Sequence, residues 1–101
     1  MRYGLSDSDI AQIIEVFAKT PNVSVVILFG SRAKGTHKPG SDIDLAIAGP
    51  DIVHDDIMSI YTRLDQLGML YTFDLQNMNV IKDAEVLDHI QRAGVVFYER
   101  K

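Results

Sequence analysis

Apolar residues in the first part of the chain repeat with the period of a helix. Leu5 and Ser6 begin this segment, with Ser6 placed to cap the helix and Asp9 placed to complete a capping box. Apolar residues then recur at i, i+3, i+4 and i+7, and they are Ile10, Ile13, Ile14 and Phe17. This spacing lines one face of a helix. The pattern predicts a first helix that stops at the breaker segment 20–22.

Four later stretches have the pattern of strands. Residues 23–29 are almost continuously apolar and β-branched, which is typical of a strand covered on both faces. Residues 43–48 and residues 69 to about 77 alternate between two faces, as strands with one buried side do. Residues 95–98 favour a short last strand. We therefore expect a sheet of four short strands.

Helical spacing returns between these strands. One apolar stripe ends at Gly68 and consists of Val53, Ile57, Ile60, Leu64 and Leu67. A last helix is predicted over 83–93, ending at Gly94. His54 and His89 fall on these two helices, where we expect surface positions. With a short helix after residue 30, the order is α-β-α-β-α-β-α-β, which predicts an α/β fold with a small mixed sheet.

The bulk properties limit the classes of protein that remain. One hundred and one residues predict a single domain over 1–101, and zero cysteines exclude a disulfide framework and thiolate metal ligands. A net charge of −4 argues against a protein that binds nucleic acid by itself. The first residues lack a signal-peptide stretch, and no apolar run has membrane-spanning length. We expect a cytoplasmic protein without membrane association.

The densest chemistry lies between residues 30 and 45. Gly30 and Ser31 follow a strand at the start of a short helix, where backbone N–H groups attract phosphate. Asp42 and Asp44 stand one residue apart on a strand, so both carboxylates project from the same face. Two carboxylates at such a short separation repel each other, and a divalent cation removes this repulsion. The alternatives are an ordinary strand–helix turn and acidic residues at a strand edge.

The turn at Gly30 and the pair of aspartates together form the pattern G-S-x-A-x-G followed by S-D-x-D-L. This pattern resembles the signature of the DNA polymerase beta-like nucleotidyltransferase superfamily, and in particular its smallest members, the MNT-type minimal nucleotidyltransferases. The positions that match are Gly30, Ser31, Ala33, Gly35, Ser41, Asp42, Asp44 and Leu45. The resemblance implies the polymerase beta-like fold in a single minimal nucleotidyltransferase domain over residues 1–101.

The resemblance also implies roles for the residues of the motif. In the superfamily, carboxylates at the positions of Asp42 and Asp44 hold two Mg²⁺ ions, and such oxygen ligands also suit Mn²⁺. Arg32 and Lys34 add positive charge beside the phosphates, although a solvated loop is an equal alternative for both. Ser41 is expected to order the loop before the strand. The nucleotide-binding residues are thus Gly30, Ser31, Arg32, Lys34 and Ser41.

A third carboxylate completes the metal site in active members of the superfamily. Asp74 is the candidate, because a carboxylate inside the apolar stretch 71–75 is unexpected unless it is paired or binds a metal. Its expected roles are those of a metal ligand and of a helper in deprotonating the acceptor hydroxyl. The alternative is an aspartate on an edge strand that faces water.

The resemblance implies Mg²⁺-dependent transfer of a nucleotide, with AMP from ATP as the expectation, to a hydroxyl acceptor. MNT-type proteins commonly form a hetero-oligomer with a HEPN-domain toxin, and several transfer AMP to a tyrosine of that partner. The leading hypothesis is therefore an antitoxin with protein adenylyltransferase activity. The alternative is a non-catalytic nucleotide-binding subunit that neutralises or stabilises its partner by contact. A third hypothesis, a small-molecule nucleotidyltransferase, requires an acceptor pocket that is not found in a chain of this length.

Overall fold

The computed structural model of the chain describes residues 2–100. Helices and strands alternate along these residues in the predicted order. The helices are α1 (Asp7–Ala18), α2 (Gly30–Lys34), α3 (His54–Asp65) and α4 (Ala84–Ala93). The strands are β1 (Val25–Phe29), β2 (Ile43–Ala48), β3 (Phe73–Asn77) and β4 (Val95–Glu99). None of the helices within residues 2–100 has the length and apolar character required to cross a bilayer.

The strands form one mixed sheet in the order β3-β2-β1-β4. β1 runs antiparallel to both of its neighbours, β2 and β4, whereas β2 and β3 are parallel. A parallel pair requires a crossover connection, and α3 provides it between β2 and β3. The predicted α/β class with a small mixed sheet is confirmed.

The sheet separates two cores of unequal size. The larger core lies under α1 and α3 and includes the β2 side chains Ile43, Leu45 and Ile47, each 0% exposed. The smaller core lies under α4, where Phe29, Ala46 and Ile90 are buried. Because side chains alternate along a strand, Ala46 lies on the opposite face from its neighbours Leu45 and Ile47. The same alternation places Asp44 on the face of the smaller core.

Two predicted strands are too long at their N-terminal ends. β1 begins at Val25 rather than at residue 23, and β3 begins at Phe73 rather than at residue 69. Leu70 has left the sheet and is fully exposed. The ring of Tyr71 lies 5.2 Å from the Arg32 guanidinium, and its hydroxyl donates a hydrogen bond to Asp9. Tyr71 therefore contacts distant residues through its side chain at a position that precedes β3.

The ends of α1 and α3 also differ in detail from the prediction. The Ser6 hydroxyl caps α1 as expected by accepting the Asp9 N–H at 3.0 Å. The Asp9 carboxylate accepts the Tyr71 hydroxyl, so it serves a tertiary contact. Val53 precedes α3 and is 55% exposed instead of joining the core, because it is the N-cap residue rather than part of the helix. Gly68 and Gly94 follow α3 and α4, as predicted.

Candidate active site

The parallel strands β2 and β3 place two carboxylates side by side. Asp44 and Asp74 are direct partners in the register of this pair, and both side chains are half-buried. Asp42 is exposed and lies immediately before β2. It is close enough for its charge to act on Asp44. The structure thus gathers the three predicted carboxylates on the face that lies opposite the larger core.

The carboxylates interact electrostatically. Burial raises the pKa of Asp44 to about 6, with additional contributions from the charges of Asp74 and Asp42, while Arg32 acts in the opposite direction. In the absence of a neighbouring cation, ionisation of Asp44 is therefore less favourable than ionisation of a free aspartate. Within residues 2–100, no group of three His, Cys, Asp or Glu side chains already has the geometry to hold a metal ion. The three oxygen donors nevertheless suit a hard cation such as Mg²⁺, which would offset their repulsion.

Gly30 brings the end of β1 against this group of carboxylates. Its φ of +74° is left-handed, a conformation that glycine adopts without steric cost. Phe29, the preceding residue, pairs with Asp44 across the antiparallel strands. A Cβ atom built on Gly30 would overlap the Asp44 carboxylate. The turn and the carboxylates therefore form one continuous surface.

Ser31 lies in the first turn of α2, directly after Gly30. The first N–H groups of a helix have no acceptor within the helix, so they are available to an external group. Ser31 is half-buried, and its carbonyl accepts the N–H groups of Gly35 and Thr36, which closes the turn. The backbone N–H groups and the hydroxyl at this position can therefore donate to the oxygens of a phosphate.

Arg32 has a different position from the one that its expected nucleotide contact requires. Its side chain is 3% exposed, and its donors bind the carbonyls of Tyr3 and Ser41 at 2.8 Å. The Tyr71 ring lies beside the guanidinium. Because these donors are taken by backbone acceptors, we expect Arg32 to hold the loop that leads to Asp42 rather than to contact a nucleotide directly.

Lys34 ends α2, and Ser41 lies near the end of the loop that connects α2 to β2. The Ser41 hydroxyl accepts the Lys38 N–H at 2.8 Å, which matches the expected loop-ordering role. Lys34 is exposed in the last turn of α2. Its flexible ammonium remains free to approach an anion bound at the turn, so its assignment to the nucleotide stays a prediction.

Sequence reasoning missed His89. It was expected on the surface of α4, but it is half-buried, and its Nε2 accepts the Gly30 N–H at 2.9 Å. Its ring meets Phe29 edge to face, with centroids 6.0 Å apart. The signal available in the sequence was its spacing, because His89 lies three residues after Val86 and beside Ile90 on the inward face. His54, by contrast, is exposed as predicted.

A mixed sheet that joins a Gly-Ser turn to carboxylates on adjacent strands defines the nucleotidyltransferase class of site. The chain belongs to the family described as polymerase beta, nucleotidyltransferase, whose model matches residues 5–101. The family inferred from the motif is thus confirmed. No curated protein matches the sequence.

Solved structures with the same fold include several toxin–antitoxin complexes. A chain of a toxin–antitoxin crystal structure with AMP-PNP has a TM-score of 0.73 and 21% identity, covering 91% of this chain and 74% of that one. A chain of the complex of a tri-AMPylated Shewanella oneidensis HEPN toxin with an MNT antitoxin has a TM-score of 0.68 and 16% identity, covering 95% of this chain and 74% of that one. A chain of the MntA-HepT toxin–antitoxin structure has a TM-score of 0.67 and 16% identity, covering 94% of this chain and 74% of that one. At these identities the likeness establishes the fold.

Proposed function

We propose that this chain is a Mg²⁺-dependent nucleotidyltransferase that transfers AMP from ATP to a hydroxyl group of a HEPN-type partner protein, and that it acts as an antitoxin. The observation that carries the proposal is the position of Asp44. It lies against Gly30 of the Gly-Ser turn and beside Asp74 in the strand register. A phosphate group on the turn would therefore lie next to the carboxylates.

Each element of the site has a distinct role in this reaction. The N–H groups and hydroxyl at Ser31 bind the oxygens of the triphosphate, and Asp42, Asp44 and Asp74 are the residues that would hold Mg²⁺. Mg²⁺ held by these carboxylates would neutralise charge on the phosphates. The Asp74 carboxylate accepts the proton of the acceptor hydroxyl. A bond then forms between the acceptor oxygen and the α-phosphorus, while the bond to the leaving pyrophosphate breaks.

The choice of nucleotide and partner draws support from the structural neighbours. One of them is a toxin–antitoxin with AMP-PNP, and another contains a tri-AMPylated HEPN toxin with an MNT antitoxin. We accordingly propose a hetero-oligomer with a HEPN-type protein, in the cytoplasm where ATP is abundant. The net charge of −4 favours a protein acceptor over direct binding of nucleic acid.

Transfer of label from ATP tests this proposal. The purified chain is incubated with a HEPN-type protein as the candidate acceptor, together with Mg²⁺ and ATP labelled at the α-phosphate. We expect a labelled partner, and we expect the Asp42→Ala, Asp44→Ala double variant to abolish the label. The matched control, Asp51→Ala with Asp55→Ala, changes two exposed aspartates that follow the C-terminal end of β2, and it should retain the label.

A second readout separates the enzyme from the binding subunit. Absence of label, with the complex intact and the partner still inhibited, would reject the transferase and favour the non-catalytic alternative. Label on the partner in the double variant would mean that the metal-binding role of these carboxylates is wrong.

A further inference from the structure

The Gly-Ser turn donates a hydrogen bond to a residue that is distant in the sequence. His89 lies in α4, and its Nε2 accepts the backbone N–H of Gly30 at 2.9 Å, across 59 positions of sequence. An imidazole nitrogen that accepts a hydrogen bond carries no proton. The bond therefore requires the neutral tautomer of His89 in which the proton lies on Nδ1.

Packing holds the imidazole in position for this bond. The ring meets Phe29 at an interplanar angle of 73°, the edge-to-face arrangement that aromatic pairs favour. Ile90, the next residue of α4, is 2% exposed and packs in the smaller core with Phe29. The orientation of His89 is thus set by the same contacts that seat α4 on the sheet.

The peptide that receives this bond lies between the two halves of the site. Gly30 packs directly against the Asp44 carboxylate on one side and precedes Ser31 on the other. Its left-handed φ of +74° belongs to a residue with wide conformational freedom, so the fold must restrict it by contacts. The His89 bond supplies such a contact at the backbone itself.

We propose that His89 is a positioning residue for the nucleotide: it holds the Gly30 peptide against Asp44 and thereby directs the Ser31 N–H and hydroxyl toward the phosphates. His89 acts through Gly30 and contacts no reacting atom. The inference rests on the proposed function in one respect, namely that a nucleoside triphosphate is the ligand of this turn.

The expected effect follows from the strength of one hydrogen bond. Loss of one neutral, partly buried hydrogen bond changes a binding equilibrium by about three- to tenfold. The turn holds the phosphates before and during transfer. Loss of the His89–Gly30 hydrogen bond therefore weakens the binding of the substrate and of the transition state alike. Such a loss raises KM for ATP and leaves kcat nearly unchanged.

Three variants of the full chain separate the hydrogen bond from packing. His89→Phe keeps an aromatic ring against Phe29 but removes the acceptor, whereas His89→Gln keeps an acceptor oxygen. The matched control is His54→Phe, at an exposed histidine on α3. The probe is AMP-PNP with Mg²⁺, measured by calorimetry. We expect about three- to tenfold weaker binding for His89→Phe, recovery toward the wild-type affinity in His89→Gln, and no change for His54→Phe.

Nuclear magnetic resonance reports on the bond without any nucleotide. In wild-type protein, we expect long-range proton–nitrogen correlations to show the Nδ1–H tautomer of His89. The Gly30 amide proton should shift upfield in His89→Phe and stay in place in His54→Phe. A proton on Nε2 of wild-type His89 would overturn the inference, even if His89→Phe failed to fold.

The outcomes distinguish this inference from the proposed function. If wild-type protein transfers no AMP but His89→Phe still weakens AMP-PNP binding, the positioning role stands and the transferase fails. If transfer occurs and His89→Phe binds AMP-PNP as tightly as wild type, the transferase stands and the positioning role is overturned.

Discussion

The two faces of the sheet differ in what their side chains do. On one face, Ile43, Leu45 and Ile47 are 0% exposed beneath α1 and α3. On the other face, α4 covers the β1 side, and Asp44 and Asp74 remain half-buried at the β2–β3 side. A step of one residue along β2 passes from the apolar core to the carboxylate site. Alternate residues of β2 therefore contribute to the apolar core and to the proposed active site.

Substitution of Asp44 gives the largest expected effect on the reaction. Asp44→Asn removes a charge from the proposed metal site but keeps the shape of the side chain. A bound metal contributes several kcal/mol of transition-state stabilisation, so we expect transfer to fall by about 100- to 1000-fold. Label transfer to the partner measures it. The metal-free variant should be at least as stable to unfolding as metal-free wild type, because the folded state disfavours ionisation of Asp44 relative to the unfolded state. A marked loss of stability would contradict the separation of the two faces.

Substitution of the neighbouring Leu45 should have the opposite profile. Leu45 is 0% exposed in the larger core, so Leu45→Ala leaves a cavity. Such a truncation costs about 2–5 kcal/mol in the free energy of unfolding. Denaturant unfolding measures this loss, and any variant that remains folded should transfer AMP at a rate near that of wild type. A stable Leu45→Ala protein without activity would show that the two faces are not independent.

Two glycines with the same backbone conformation sharpen the comparison. Gly30 and Gly35 have φ values of +74° and +77°, so alanine is strained at both positions. A Cβ at Gly30 overlaps the Asp44 carboxylate, whereas one at Gly35 meets no atom within 4 Å. We expect Gly35→Ala to cost about 1 kcal/mol of stability with AMP-PNP binding retained. Gly30→Ala should lose more than about tenfold in AMP-PNP affinity, measured by calorimetry. Equal effects on binding would contradict the proposed place of the turn.

The pH dependence of stability gives the smallest expected effect. The pKa of Asp44 is raised from 3.8 to about 6 in the folded protein, so the folded state binds this proton more tightly than the unfolded state. Its contribution to stability is complete below about pH 4 and is lost as the pH rises through about 6. Because Asp44 is partly exposed, we expect a loss of only about 1 kcal/mol.

Asp44→Asn provides the control for this measurement. Thermal unfolding of metal-free wild type, compared with the variant between about pH 4 and pH 7, isolates the contribution of Asp44 from those of other acids. The difference should close as the pH falls, and Mg²⁺ should stabilise wild type more at the upper end of this range. Parallel curves for the two proteins would contradict the raised pKa.

The order of elements and the inward residues were predictable because their signals are local. The spacing of Ile57, Ile60 and Leu64 identified the buried side of α3, and the alternation of β2 identified its two faces. The ends of β1 and β3 were less predictable. Tyr71 leaves the predicted strand for contacts with Asp9 and Arg32, and nothing in its neighbouring residues indicates these partners.

The family and the fold class were predictable from the sequence, because a short motif and periodic burial are properties of adjacent residues. The same motif predicts Asp42 and Asp44 as the carboxylate pair of the site. Three contacts of the site became apparent in the folded chain: Asp74 pairs with Asp44, Gly30 packs against the Asp44 carboxylate, and Arg32 donates to backbone carbonyls. The tertiary structure also placed His89 on the Gly30 N–H. These contacts depend on strand register and helix packing across long stretches of chain, where each side chain has many candidate partners and the fold selects one.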